Sequence, residues 1–112
     1  MEVKMNRIIL IATVLCLLTA YSVKAETVER KMTVYGLCGM CKTRIEKTAM
    51  DIDGVTKAEW QFDTMALTVQ FDSAKTKLET ISKELAKVGH DTEKDKADDK
   101  VYNALPNCCK YR

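Results

Sequence analysis

The sequence is short of several residue types, and each shortage removes a class of protein. One proline and four glycines in 112 residues exclude a collagen-like or low-complexity chain. A composition 46% hydrophobic and 30% charged excludes a strongly disordered one. Aromatic residues reach only 6%, too few for a base-stacking surface, and a net charge of +2 is too small for binding driven by phosphate neutralisation. No nucleic-acid partner is therefore expected. With one histidine and no nucleophile-elbow motif there is no Ser/His/Asp set, and the scattered glycines form no phosphate cradle. The chain does not read as an enzyme. Its unusual feature is five cysteines.

The first 25 residues read as a targeting segment. Lys4 and Arg7 precede the uncharged run Ile8–Ala20, and Val23, Lys24 and Ala25 follow as a cleavage site. This is the pattern of a secretory signal peptide, cleaved after Ala25. The rival reading is a membrane anchor, but the run is short of the roughly 20 residues that span a bilayer. Cys16 lies in the apolar run without the small preceding residue of a lipobox. A periplasmic or secreted location with no remaining membrane span is expected. Removing Lys4, Arg7, Lys24 and Glu2 equalises basic and acidic residues, so the surplus positive charge belongs to the signal. The remaining cysteines are Cys38, Cys41, Cys108 and Cys109. Four cysteines in an exported protein allow three full disulfide pairings, and sequence alone does not choose among them.

Residues 26–97 have the rhythm of one small domain. Val28–Tyr35 alternates around Met32 and Val34, as a strand with one buried face does. Cys41, Ile45, Ala49 and Ile52 fall at helical spacing within Met40–Ile52, and Asp53-Gly54 stops that helix. Val55–Phe62 alternates again, with Ala58, Trp60 and Phe62 on one side. After a turn at Asp63-Thr64, Leu67, Val69 and Phe71 complete a hairpin. Leu78, Ile81, Leu85 and Val88 form the stripe of a second helix, with Gly89 as its left-handed terminator. Asp91–Lys100 is a charged, mostly solvated run with room for a short edge strand. Residues 98–112 are a tail, with a helical turn at Val101–Leu105 stopped by Pro106. The order β–α–β–β–α, with a last β, predicts an α+β ferredoxin-like sandwich, two helices on one face of an antiparallel sheet.

The chemistry lies in Gly36-Leu37-Cys38-Gly39-Met40-Cys41. A Cys-x-x-Cys pair holds two sulfurs close enough to share one ion or one disulfide. Opening a helix, it meets free N–H groups that favour thiolate over thiol. Thiolates are soft ligands, and two without a third suit Cu(I) or Hg(II) better than structural zinc, which takes four. Metal exchange, dithiol redox chemistry and a structural pair all use this motif. Against redox chemistry, the only proline is Pro106, so the loop proline of thioredoxin-like sites has no candidate.

Motif, element order and the Asp53-Gly54-Val55 turn together resemble the heavy-metal-associated domain, from about Val28 to Ala97. That family includes copper chaperones, periplasmic mercury-binding proteins and metal-binding domains of P-type ATPases. The resemblance implies a βαββαβ fold with Cys38 and Cys41 as metal ligands on an exposed loop. Cu(I) is the expected ion, with Hg(II) or Zn(II) as others. The implied partner is a metal-accepting protein such as a transporter domain or a cuproenzyme. Two positions depart from the pattern. Gly36 stands where the family commonly has Met, with Met40 between the cysteines instead, and Leu37 replaces the Asp of zinc- and cadmium-directed members. His90 aligns with a Tyr that approaches the metal loop, which makes it a candidate third ligand. Cys108-Cys109 lies outside the family boundary. It reads either as a separate vicinal pair or as a donor of further thiolate, one sulfur rather than two given the strain of turning both to one ion. Lys42 and Arg44 flank the motif on the first helix, where they could steer an acidic partner or stabilise a thiolate, but a solvated helix face is the expected reading; Met32 and Met65 are expected in the core.

Overall fold

Alternating apolar residues become the strands β1 (Thr27–Thr33), β2 (Val55–Trp60) and β3 (Ala66–Asp72). The computed structural model describes residues 26–112, so the expected signal peptide, Cys16 included, lies outside the described residues. Helical spacing gives α1 (Gly39–Met50), α2 (Leu78–Lys87) and α3 (Asp99–Asn103), and a 3₁₀ turn follows at Asn107–Cys109. The sheet order is β1-β3-β2, antiparallel at both seams. The crossover through α1 therefore places β1 and β2 parallel with β3 between them, the split βαβ arrangement of a ferredoxin-like fold.

Register aligns the buried side chains in rows. Met32, Leu67 and Trp60 stand opposite one another, and Val28 and Val55 flank Phe71. This face packs on Cys41, Ile45 and Ala49 of α1 and on Ile81 and Leu85 of α2, all fully buried. The opposite face carries Glu29, Lys31, Lys57, Glu59, Thr68 and Gln70, as an antiparallel sheet with one wet side does.

The expected fourth strand is reduced to one bridge, Val34 with Thr92. Its flanking bonds run from the Tyr35 N–H to the Asp91 carbonyl and from the Glu93 N–H to the Thr33 carbonyl. Side chains divert the rest of this segment. The Thr92 hydroxyl accepts from the Lys94 and Asp95 N–H groups, and the Asp91 carboxylate accepts from the Ala97 N–H. Such local side-chain bonds compete with a ladder. The segment is also less solvated than its charge implies, since Thr92 and Ala97 are buried.

Two further details differ from the sequence reading. β2 ends at Trp60, leaving Phe62 exposed and tilted against the Trp60 ring at 5.2 Å. Met65 is not a strand residue but a turn residue with φ +57°, partly packed on the core. The tail docks on the domain through buried Tyr102 and Leu105, two of the apolar residues that its sequence offers for this. Leu105 packs on Gly89, whose φ is +104° and where an added Cβ would stand 3.0 Å from the Leu105 side chain.

Candidate metal centre

Cys38 is the N-cap of α1, in extended backbone, and Cys41 sits one turn inside the helix. The loop before them rests on a packed floor. A Cβ at Gly36 would meet the Cys41 Cβ at 3.0 Å and Ile45 and Trp60 at 3.3 Å. The Trp60 indole N–H donates to the Val34 carbonyl at 2.9 Å, fixing the ring in place. This chain thus fills with Trp60 the space beneath its loop, which is why position 36 is a residue without a side chain. Leu37 and Met40 are exposed on either side of Cys38.

All four described cysteines converge, and all are free thiols. Cys38 Sγ lies 3.4 Å from Cys41 Sγ, 3.4 Å from Cys108 Sγ and 3.3 Å from Cys109 Sγ. The two tail sulfurs are 3.9 Å apart. Cys38, Cys108 and Cys109 all lie within 4.8 Å of one another, close enough to hold one ion. Both tail sulfurs approach Cys38, not one alone, because the 3₁₀ turn at Asn107–Cys109 directs both towards it. Cys108 Sγ also approaches the Met40 thioether at 3.6 Å.

The thiols are electrostatically unequal. Burial pushes the Cys38 thiol up, but the nearby Cys41 backbone N–H and the thiols of Cys109, Cys108 and Cys41 together outweigh it and lower the value to about 6. Burial and then the Cys109 thiol raise Cys41 to about 11. Cys108 is raised chiefly by its neighbour Cys38, and Cys109 chiefly by burial. One negative charge is thereby concentrated on Cys38, the sulfur that the other three can each stabilise.

His90 stands behind this cluster rather than in it. It is fully buried, and its Nδ1–H donates to the Tyr35 carbonyl at 2.9 Å. That bond fixes the tautomer and leaves Nε2 as an acceptor, 3.5 Å from Arg44 Nη1. The same Arg44 nitrogen lies 3.5 Å from Cys109 Sγ. Burial, and then the Arg44 charge, lower the His90 pKa, so the ring is neutral at pH 7. Arg44 is therefore part of the site and not only a solvated side chain; its position three residues after Cys41 on one helix face was the available signal. Lys42 instead binds the Trp60 carbonyl at 2.6 Å and Glu46 at 3.0 Å, bracing the helix against β2.

The last two residues hold the tail in place. The Tyr111 hydroxyl donates to the Gly89 carbonyl at 2.6 Å and accepts from the Asp91 N–H at 2.7 Å. Its ring stacks with His90 at 5.9 Å. Arg112 forks onto Asp91 at 2.7 and 3.2 Å, reaches Asp99 at 2.9 Å, and lies 4.2 Å above the Tyr102 ring. Neither anchor was identified from sequence, because each acts through a partner distant in the chain.

The family model of the heavy-metal-associated domain matches residues 31–91, more than half of the chain. A copper-exporting P-type ATPase of Staphylococcus saprophyticus is 33% identical over 79 residues, which cover 70% of this chain and 10% of the ATPase. The mercuric transport protein periplasmic component of Pseudomonas aeruginosa is 31% identical over 59% of this chain and 74% of its own length. Among solved structures, a CopZ metallochaperone is similar with a TM-score of 0.56 and 29% identity, over 58% of this chain and 98% of that one. The matched segment carries the Cys38–Cys41 loop, the split βαβ sheet and both packed helices. The chain belongs to the heavy-metal-associated domain family.

Proposed function

We propose that this protein is a carrier that binds a soft metal ion, Cu(I) foremost, on Cys38 and Cys41 and passes it to a cysteine-bearing acceptor outside the cytoplasm. One observation carries the reading: two thiols 3.4 Å apart at the N-terminus of α1, one of them lowered to about 6, on a loop edged by exposed Leu37 and Met40. A ligand already deprotonated at neutral pH binds a soft cation without first losing a proton. Hg(II) is the second candidate ion and Zn(II) a third. The names of the relatives, a copper-exporting ATPase and a periplasmic mercuric transport component, support the two soft ions. Transfer proceeds by ligand exchange. An acceptor thiolate attacks the bound ion, a bridged three-coordinate state forms, and Cys41 leaves and takes up a proton; a second acceptor thiolate then displaces Cys38, which leaves as a thiolate. A metal-transporter domain or a cuproenzyme offers the required thiols. The run of residues 1–25 supports an extracytoplasmic location.

The test is Cu(I) competition against a chromogenic chelator. Because the tail thiols stand within reach of Cys38, the test is made in a chain carrying Cys108→Ser and Cys109→Ser: there Cys38→Ser and Cys41→Ser should each abolish tight stoichiometric binding, since the one thiolate left cannot hold a two-coordinate ion. Near-native affinity in both variants would overturn the assignment. The rival chemistry, dithiol–disulfide exchange, is measured on the same protein by insulin reduction, where no turnover is expected.

A further inference from the structure

We propose that the tail cysteines Cys108 and Cys109 complete, with Cys38 and Cys41, a centre of three to four thiolates that retains a soft divalent ion while the tail is docked. This rests on the reading of Cys38 and Cys41 as metal ligands and extends it beyond the family segment, which ends at residue 91.

The geometry carries the proposal. With metal–sulfur bonds of about 2.3 Å, sulfurs around a tetrahedral ion stand about 3.8 Å apart, and two on opposite sides of a two-coordinate ion about 4.6 Å apart. The Cys38, Cys108 and Cys109 sulfurs, 3.3, 3.4 and 3.9 Å apart, form a triangle near the tetrahedral spacing and well below the linear one, and Cys41 Sγ stands 3.4 Å from Cys38 beside this three-sulfur set. Opening them by a few tenths of an ångström admits an ion of high coordination number.

The tail sulfurs are also held in advance. Tyr111 and Arg112 fasten the segment to Gly89, Asp91 and Asp99, and Leu105 packs on Gly89. Their delivery costs little ordering entropy on binding, since the chain is already fixed. Charge is partly compensated as well. Each thiol that ligates releases its proton, and a divalent ion with four thiolates carries two surplus negative charges. The Arg44 guanidinium, 3.5 Å from Cys109 Sγ, faces that charge. The docked tail therefore makes a closed site, and the loop pair alone an open one suited to exchange.

The experiment uses the full, reduced chain with Cd(II) alone as the probe. X-ray absorption should count three to four sulfurs around Cd(II). Cys108→Ser/Cys109→Ser, which leaves Tyr111 and Arg112 intact, should lower Cd(II) affinity at least 100-fold while Cu(I) affinity changes less than tenfold. A count of two sulfurs in the unmodified chain, which needs no variant to fold, would overturn the proposal, as would unchanged Cd(II) affinity in the double variant. Failure of the underlying reading has a separate signature: in the chain carrying Cys108→Ser and Cys109→Ser, Cys38→Ser and Cys41→Ser would then each keep Cu(I).

Discussion

Cys38 concentrates the reactivity of the molecule because three other thiols and a backbone N–H converge on one sulfur. In the metal-free protein its alkylation rate should rise with a midpoint near pH 6, while Cys41 reacts only well above the ordinary thiol range. Rate against pH for each cysteine, followed by peptide mapping, checks this; equal midpoints for the two would mean that the charge is not centred on Cys38. The sequence made the loop pair legible, since its spacing and its place between strand and helix are both local properties. It did not reveal that both tail sulfurs reach Cys38, which depends on a 3₁₀ turn docked some seventy residues away in the chain. His90 was legible as a neighbour of the loop but not in its role, because the Tyr35 carbonyl and Arg44 that engage it come from two other segments.

The tail is an element of the fold through its bond from Arg112 to Asp91. Burial raises the Asp91 carboxyl pKa, but the Arg112 hydrogen bonds outweigh this and hold it below the ordinary value. A depressed carboxyl contributes stability that is fully present above the unfolded pKa, about 3.9, and is lost as pH falls through the lower folded value. Docking should therefore persist down to about pH 4 and weaken in stronger acid. Asp91→Asn should cost about 1.5–3 kcal/mol at neutral pH, the range for hydrogen bonds to a charged group, and should remove that acid transition. Tyr111 ring resonances followed from pH 6 to pH 2 report it, and an unchanged profile in the variant would exclude Asp91 as the titrating anchor. At this scale the helices and the β2–β3 hairpin follow from local periodicity and were expected. The fourth strand was not legible as a single bridge, because Thr92 and Asp91 spend their side chains on the backbone of their own segment.

For the whole molecule, metal binding and folding are linked, since the sulfurs of Cys38, Cys108 and Cys109 are brought together only by the complete fold. An ion at 100 times its dissociation constant adds at most about 2.7 kcal/mol, less whatever the unfolded cysteines bind. In a domain of this size that raises the melting temperature by on the order of 10 °C. Calorimetry of the reduced chain with and without Cd(II) should show the rise, and a chelator should reverse it. The shortened fourth strand has another result for the molecule, visible in the exchange of amide hydrogens with solvent. Along β1, alternate residues face β3, and among the described residues Thr33 is the outer residue whose N–H finds a partner, the Glu93 carboxylate, while its carbonyl accepts from the Glu93 N–H and the Glu29 carbonyl accepts from the Arg30 guanidinium. Thr27, Glu29 and Lys31 turn their amides outward beyond the reach of that bridge. In heavy water these three should exchange at rates close to those of an open chain, while Val28, Arg30 and Met32 exchange orders of magnitude more slowly. The strand would thus carry a two-residue rhythm in time as well as in space, with Thr33 marking where protection of the outer edge begins.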